Sequence, residues 1–196
     1  MTNNEAIASP RRATIVAGVA YPLIIVLGVL KVGFLESGLV VPGDDAATVA
    51  NLAADGWLFR VGVASDVVLF MLVVLLSIAL YVIVRGVDRN LALTALLFRL
   101  GEGVIGGVVT LMGSLVPLLI LDHGAAFEPS QLQALIAAFL DIRVAGLDII
   151  MIFMSPGGII FCYLFLKARL VPRALAVWGI ITYASMLAFS FTDILY

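Results

Sequence analysis

The sequence predicts an all-α protein, a polytopic transmembrane bundle of about five spans with two short helices at its outer surface. Three observations lead there. The 196 residues are 63% hydrophobic and only 12% charged, with a mean hydropathy of +1.21, whereas a soluble domain averages about 45–50% apolar and about 25% charged. Long apolar runs recur along the chain, and a run of ~20 residues suffices to cross a hydrocarbon core of ~30 Å. The cations are also sorted onto alternate connectors, as the positive-inside rule requires. A soluble helical bundle of this composition would expose too much Leu and Val to water. The chain therefore reads as a single integral membrane domain over residues 1–196, with spans at about 13–34, 58–84, 91–121, 144–166 and 174–192.

Met1 to Pro10 is a polar tail. Arg11 and Arg12 then precede an apolar run to about Phe34. A charged start before an apolar stretch also describes a secretory signal. This run is long and no small-x-small cleavage site follows, so an uncleaved first span is predicted, with Pro22 as its candidate kink. Glu36 to Trp57 is a connector in which Asp44 or Asp45 can cap a short helix ending near Ala54. That helix is too short and too polar to cross a bilayer.

The second span, Leu58 to Val84, carries Arg60 and Asp66 in its first turns, and Gly86 to Asn90 forms a tight polar turn. The third span, Leu91 to Leu121, is longer than the hydrocarbon core requires. It must tilt, bend at Pro117 or extend beyond the membrane. Asp122 to Pro129 is a second connector. Ser130 and Gln133 then fit a capping box, and Leu132, Leu135, Ile136, Phe139 and Leu140 share one helical face. This helix either stands alone or runs on into the fourth span, Val144 to Leu166. Ser155-Pro156-Gly157-Gly158 is predicted to interrupt that span near its middle, where freed backbone groups need protein or water partners. The turn from Lys167 to Arg173 leads to the last span, Ala174 to Thr192.

With the N-terminus in the cytoplasm, Arg11, Arg12, Arg85, Arg89, Lys167, Arg169 and Arg173 all lie inside, seven of the eleven cations. Lys31, Arg60 and Arg143 fall toward the outside. The opposite orientation strands all seven on the wrong face.

The third span holds the most telling chemistry. On a helix, Arg99, Glu102, Gly103, Gly106, Thr110, Gly113 and Pro117 fall on one face, which is small and polar while the rest is Leu, Val and Ile. Such a face packs on other helices and leaves the apolar face to lipid. Arg99 and Glu102 are one turn apart and can pair. At ~1.5 Å per residue from Asn90 they lie ~13 Å and ~18 Å deep, near the midplane. An intramembrane charge is costly and marks a site hypothesis by default. The plainer reading is an ion pair that fixes helix packing. Gly103 and Gly107 form a G-x-x-x-G, which permits close helix approach and is common by chance in such sequences.

Asp66 and Asp148 lie ~28 Å from the inner face by the same arithmetic. Arg60 and Arg143 read as interfacial anchors whose stems snorkel. Together with Arg99 and Glu102, these four are the candidate ligand-binding residues, the alternative reading being the polar mouth of a cavity leading down to that pair. The second and fourth spans also share a layout. Each follows a short helix, opens with an Arg and an Asp, and places a Tyr (Tyr81, Tyr163) four residues before a basic turn. That pattern suggests a weak parallel repeat.

Several function classes fall away. No basic patch suggests nucleic acid. The single cysteine, Cys162, excludes an internal disulfide and a cysteine metal cluster. One histidine, His123, near Asp122 and Glu128 is a weak metal signal, and no metal or catalytic residue is assigned. No nucleophile constellation, phosphate loop or zinc-protease motif is present. Ser155 has no histidine at its depth, which disfavours an intramembrane protease.

The mixed polar and apolar motifs Val40-Val41-Pro42-Gly43-Asp44, Leu58-Phe59-Arg60-Val61-Gly62 with Asp66, Leu80-Tyr81, Asp88-Arg89-Asn90-Leu91-Ala92-Leu93, Phe98-Arg99-Leu100 with Glu102, and Tyr163-Leu164-Phe165 before Leu170-Val171-Pro172-Arg173 carry a resemblance. Over nearly its whole length the chain resembles a bacterial membrane family catalogued as domain of unknown function 4386. Met154 to Gly158 departs from the usual look of that family. The resemblance implies a polytopic protein of the bacterial inner membrane. It implies no reaction, cofactor or catalytic residue.

The leading expectation is a non-catalytic binding or accessory subunit in the lipid bilayer, with a possible membrane protein partner. The runner-up is a small-molecule transporter or ligand-binding protein with a polar intramembrane site around Arg99 and Glu102. A lipid-modifying enzyme is a distant third. The ligand or cofactor is unknown at this level.

Overall fold

A computed structural model describes residues 10–36, 38–41 and 43–196. The polar tail ahead of Pro10, and Pro42 of the first connector, lie outside the described residues. Over the described residues the protein is an all-α bundle in which five helices are long and apolar enough to cross a membrane.

The first, α1 (Pro10–Leu30), runs through Pro22 and passes into a π-helical segment, Lys31–Glu36. A short α2 (Asp45–Ala54) follows. Its cap is Asp44, whose carboxylate accepts the Ala47 N–H at 2.9 Å, so one of the four orphan donors of the helix start is satisfied. Thr48 ties α2 back to the connector by accepting the Val41 N–H at 2.9 Å. The second long helix, α3, spans Gly56–Val84. Asp88 then starts the next helix by accepting the Leu91 N–H at 3.1 Å.

The third long run is α4 (Arg89–Thr110), a π-helical segment (Leu111–Leu115) and α5 (Val116–Asp122) in unbroken succession. Pro117 explains the wider turn. In α register its ring would clash with the carbonyl of Gly113, and it has no N–H to give that carbonyl. The chain resolves this with an extra residue in the turn, and the Val116 N–H donates to the Leu111 carbonyl five positions back. Local widening of this kind is one of the identifiable causes of helix irregularity.

The fourth long helix departs most from expectation. α6 is a single helix of 40 residues, Pro129–Ala168. The short helix expected at Ser130 is its first turns, and Ser155 to Gly158 does not interrupt it. Helix initiation falls to Pro129, at a position where a missing N–H costs nothing, and the Glu128 carbonyl accepts the Leu132 N–H at 2.9 Å. The Ser130–Gln133 box is therefore inside the helix rather than its cap. Continuity at Pro156 follows from the medium. A break would orphan several backbone groups in an apolar environment, whereas one internal proline removes a single donor. Ser155 is buried, and its Oγ donates to the Met151 carbonyl at 2.7 Å. Arg169 ends the helix with a left-handed φ of 54°, and the Leu170 N–H closes back on the Phe165 carbonyl at 3.1 Å. The last long helix, α7, is Arg173–Leu195.

The residues group into two compact units. The first comprises the described part of Met1–Leu23 with Met71–Ile105 and Asp148–Tyr196. Its core is Val84, Ala92, Ala95, Phe161 and Leu164. The two alanines let α4 lie close to the larger side chains of α6. The second unit comprises Ile24–Phe70 and Gly106–Leu147. Its core is Leu39, Val49, Leu52, Phe59, Leu118 and Ile136. Here α2 contributes Val49 and Leu52, and the early turns of α6 contribute Ile136 with Leu132 and Leu140 beside it. Leu135, expected on the same apolar face, is exposed.

Only 11% of the apolar window of α1 and of α7 is buried, against 28–33% for the other three long helices. Ile15, Val19, Val29, Trp178 and Phe189 are among the outward-facing residues. Apolar surface of that extent fits a bilayer.

Candidate functional site

The small face of the third run is turned inward. Arg99, Glu102, Gly106, Thr110, Gly113 and Pro117 are buried and Gly103 is half-buried, while Leu97, Val104, Val108 and Leu111 are exposed.

In the first unit, Arg99 Nη1 and Glu102 Oε2 lie 2.6 Å apart, with residue exposures of 8% and 3%. The contact is an ion pair without hydrogen-bond geometry, and neither atom has a hydrogen-bond partner among the described residues. That is costly, because buried charges repay their desolvation only when their remaining hydrogen-bonding capacity is also met. The helix opposite is shaped around the pair. A Cβ on Gly157 would stand 2.9 Å from Arg99 Cγ and 3.1 Å from the Ala95 carbonyl oxygen. A Cβ on Gly158 would stand 2.6 Å from the Tyr183 ring. Pro156-Gly157-Gly158 thus acts through absent side chains, making room on α6 for an arginine of α4 and a tyrosine of α7. Tyr183 is near enough to interact electrostatically with both Arg99 and Glu102. Asp148 is half-buried and has no ion-pair partner among the described residues.

In the second unit, Asp66 is buried and faces two cations. Lys31 hydrogen-bonds its Oδ1, and Arg143 Nη2 stands 3.9 Å from its Oδ2. Arg60 instead grips Asp122 in a two-point contact at 2.7 and 2.8 Å, with both side chains well exposed. His123 Nδ1 faces the Leu119 carbonyl at 2.8 Å. Asp122 and His123 therefore have separate local engagements. A small pocket opens beside Asp66, walled by Lys31, Arg143, Ser114, Gly62 and apolar residues including Leu39 and Phe59. It is large enough for a group of about the size of a water molecule.

The closest glycine contacts are not those of the G-x-x-x-G. A Cβ on Gly103 would meet only Val74 at 3.0 Å, and one on Gly107 would meet nothing. Gly106 and Gly113 are tighter. A Cβ on Gly106 would lie 2.1 Å from the Phe70 ring, and one on Gly113 would lie 2.4 Å from Arg143 Cβ and 2.8 Å from its Cα. Asp66 and Asp148, matched as a repeat by spacing, have different surroundings, since Asp66 faces two cations.

A family model described as Domain of unknown function (DUF4386) matches residues 16–196. The chain belongs to this family. No curated protein and no solved structure matches it. The DUF4386 match takes in both clusters, Arg99 with Glu102 and Asp66 with Arg143.

Lys31, Ser114, Asp122, Gly157 and Tyr183 were not among the candidate site residues that the sequence suggested. Lys31 and Asp122 read as end-of-span charges, and only long-range contact reveals their partners. Ser114 is misplaced by a strict 3.6-residue period because it sits in the π-helical turn. Gly157 could have been found by reading Pro-Gly-Gly as clearance for a large neighbour rather than as a break.

Proposed function

We propose that this is a non-catalytic integral membrane protein that binds a small polar molecule at Arg99 and Glu102. The observation that carries the reading is that Arg99 Nη1 and Glu102 Oε2 are both buried and both lack a hydrogen bond among the described residues. A molecule with one acceptor and one donor would complete them, satisfying groups whose isolation is expensive in an apolar medium. Tyr183 lies near enough to interact electrostatically with both groups. The protein lies in the bacterial inner membrane with its N-terminus in the cytoplasm, an orientation supported by seven of eleven cations on alternate connectors.

The test is gentle purification of wild type and Glu102→Gln from native membranes, followed by mass spectrometry of bound molecules. A small molecule held by wild type and lost from the variant supports the reading. Equal retention by both removes Glu102 from any site.

A second reading, an accessory subunit that docks laterally on another membrane protein, is favoured by the sparse burial of α1 and α7. A stoichiometric protein in the same purification supports it.

A further inference from the structure

Beyond that reading, and independent of it, the first unit carries a charged surface of its own. We propose that the exposed arginines around the α6–α7 turn, Arg169 and Arg173, together with Arg89 of the adjoining α3–α4 turn, bind the headgroup phosphate of an anionic phospholipid.

The two turns meet. Lys167 Nζ stands 3.9 Å from Asp88 Oδ2, and below them Val84 and Ala92 share a core with Phe161 and Leu164. Charge on this surface is unbalanced. Arg89, Lys167, Arg169 and Arg173 are all exposed. Of the unit's described carboxylates only Asp88 is near, and it already caps α4 and faces Lys167. Glu102, Asp148 and Asp193 lie roughly 20 Å or more away along their helices. Arg89, Arg169 and Arg173 make no side-chain hydrogen bond or ion pair among the described residues.

Arg169 is the deciding residue. It is the only described residue other than glycine with a positive φ, at 54°. This place, just past the end of α6, is one that glycine usually fills, because a Cβ in the left-handed region crowds its own backbone. A large cationic side chain there works against the local backbone preference. Strain of this kind is a pointer to a use for the side chain.

The flanking residues select the partner. Leu170, between the two arginines, is 52% exposed, and Leu175 and Trp178 in the first turns of α7 are 63% and 70% exposed. A soluble anion would satisfy the guanidinium groups and leave these side chains uncovered. A phospholipid supplies both halves, a phosphate for the arginines and acyl chains for the leucines, with tryptophan at its customary interfacial depth. Arginine suits the phosphate because its planar fork can give two parallel hydrogen bonds.

The test uses Trp178 as the reporter. The full chain carrying Trp57→Phe keeps Trp178 as its one tryptophan, and Trp57 is 77% exposed, so its loss is tolerated. This parent is reconstituted in mixed vesicles of phosphatidylcholine and phosphatidylglycerol, with brominated chains on one lipid or the other. Quenching of Trp178 then gives the relative affinity of the two headgroups. Phosphatidylglycerol is expected to be favoured at least about tenfold at low salt, at about fivefold for each cation in contact, and the preference falls as salt is raised. Arg169→Gly and Arg173→Gln each cut it about fivefold, whereas Arg169→Lys keeps the charge and most of the preference. Arg169→Gly also relieves the left-handed backbone, so its melting temperature is expected to be no lower than the parent's, and its lost preference is not a folding defect. Equal quenching by the two lipids in the parent overturns the proposal, as does a preference that neither Arg169→Gly nor Arg173→Gln lowers.

Discussion

Gly157 lies against the aliphatic stem of Arg99, and a Cβ there would stand 2.9 Å from Cγ and 3.1 Å from Cδ. The arginine therefore crosses to the neighbouring helix at a place where that helix has no side chain. Gly157→Ala forces either the guanidinium or α6 to move. It is expected to cost ~1–3 kcal/mol, as overpacking of a close-packed interior does. Gly107→Ala is the counterpart. Its Cβ would meet open space, so the gain in helix propensity, up to ~1 kcal/mol, goes unopposed. Thermal unfolding in detergent compares the two. Equal melting temperatures for the variants would show that Gly157 is not a packing point.

The Arg99–Glu102 pair makes its own prediction. Arg99→Leu leaves a carboxylate buried without its counter-charge, an effect of ~3–5 kcal/mol. Replacing both with Leu removes the isolated charge and is expected to recover much of the loss. The double variant should thus be more stable than Arg99→Leu alone. A thermodynamic cycle over the four proteins isolates the coupling. Strictly additive losses would mean that the two charges do not stabilise one another, despite the 2.6 Å separation.

Gly113 and Gly103 share the small face of the third run yet differ in consequence. Alanine at Gly113 collides with the Cβ and backbone of Arg143, whereas alanine at Gly103 meets only a Val74 methyl at 3.0 Å. A valine rotates aside, but a helix backbone moves only as a unit. Gly113→Ala is therefore expected to be the more destabilising by at least ~1 kcal/mol. Chemical unfolding of both variants in the same micelle gives the ranking, and the reverse order would place the close helix approach at the G-x-x-x-G instead.

These contrasts show what the sequence carried. The five long helices were legible because apolar length is a one-dimensional property. The inward face of the third run was legible because Arg99, Glu102, Gly106 and Gly113 repeat at helical spacing. Two things were not. Ser155-Pro156-Gly157-Gly158 has the local composition of a break, but an apolar medium favours keeping the helix, and the glycines serve Arg99 and Tyr183 across the interface. The partners of Asp66 were hidden because Lys31 and Arg143 are far from it in the chain and arrive through π-helical turns or their neighbours, which no fixed periodicity anticipates.

Geometry and burial disagree about which ion pair of the second unit matters more. Arg60 holds Asp122 by two short bonds, at 2.7 and 2.8 Å, while Arg143 stands 3.9 Å from Asp66. Although Lys31 also hydrogen-bonds Asp66, by the arginine contacts alone Asp122 ranks first. Its side chain is 41% exposed and that of Arg60 47%, however, whereas the Asp66 side chain is 8% exposed and faces two cations. Water and salt screen the exposed pair, leaving ~0–1 kcal/mol. Neutralising Asp66 removes a buried carboxylate from between Lys31 and Arg143, and the like charges then face each other in a poorly solvated pocket. Asp66→Asn is accordingly expected to cost ~3–5 kcal/mol and Asp122→Asn less than ~1 kcal/mol. Raising the salt concentration should narrow the difference between wild type and Asp122→Asn while leaving the Asp66→Asn loss largely intact, because only the exposed pair is open to counterions. Thermal unfolding of the three proteins at low and high salt measures both effects. A larger loss for Asp122→Asn would mean that the two short contacts of Arg60 outweigh burial here.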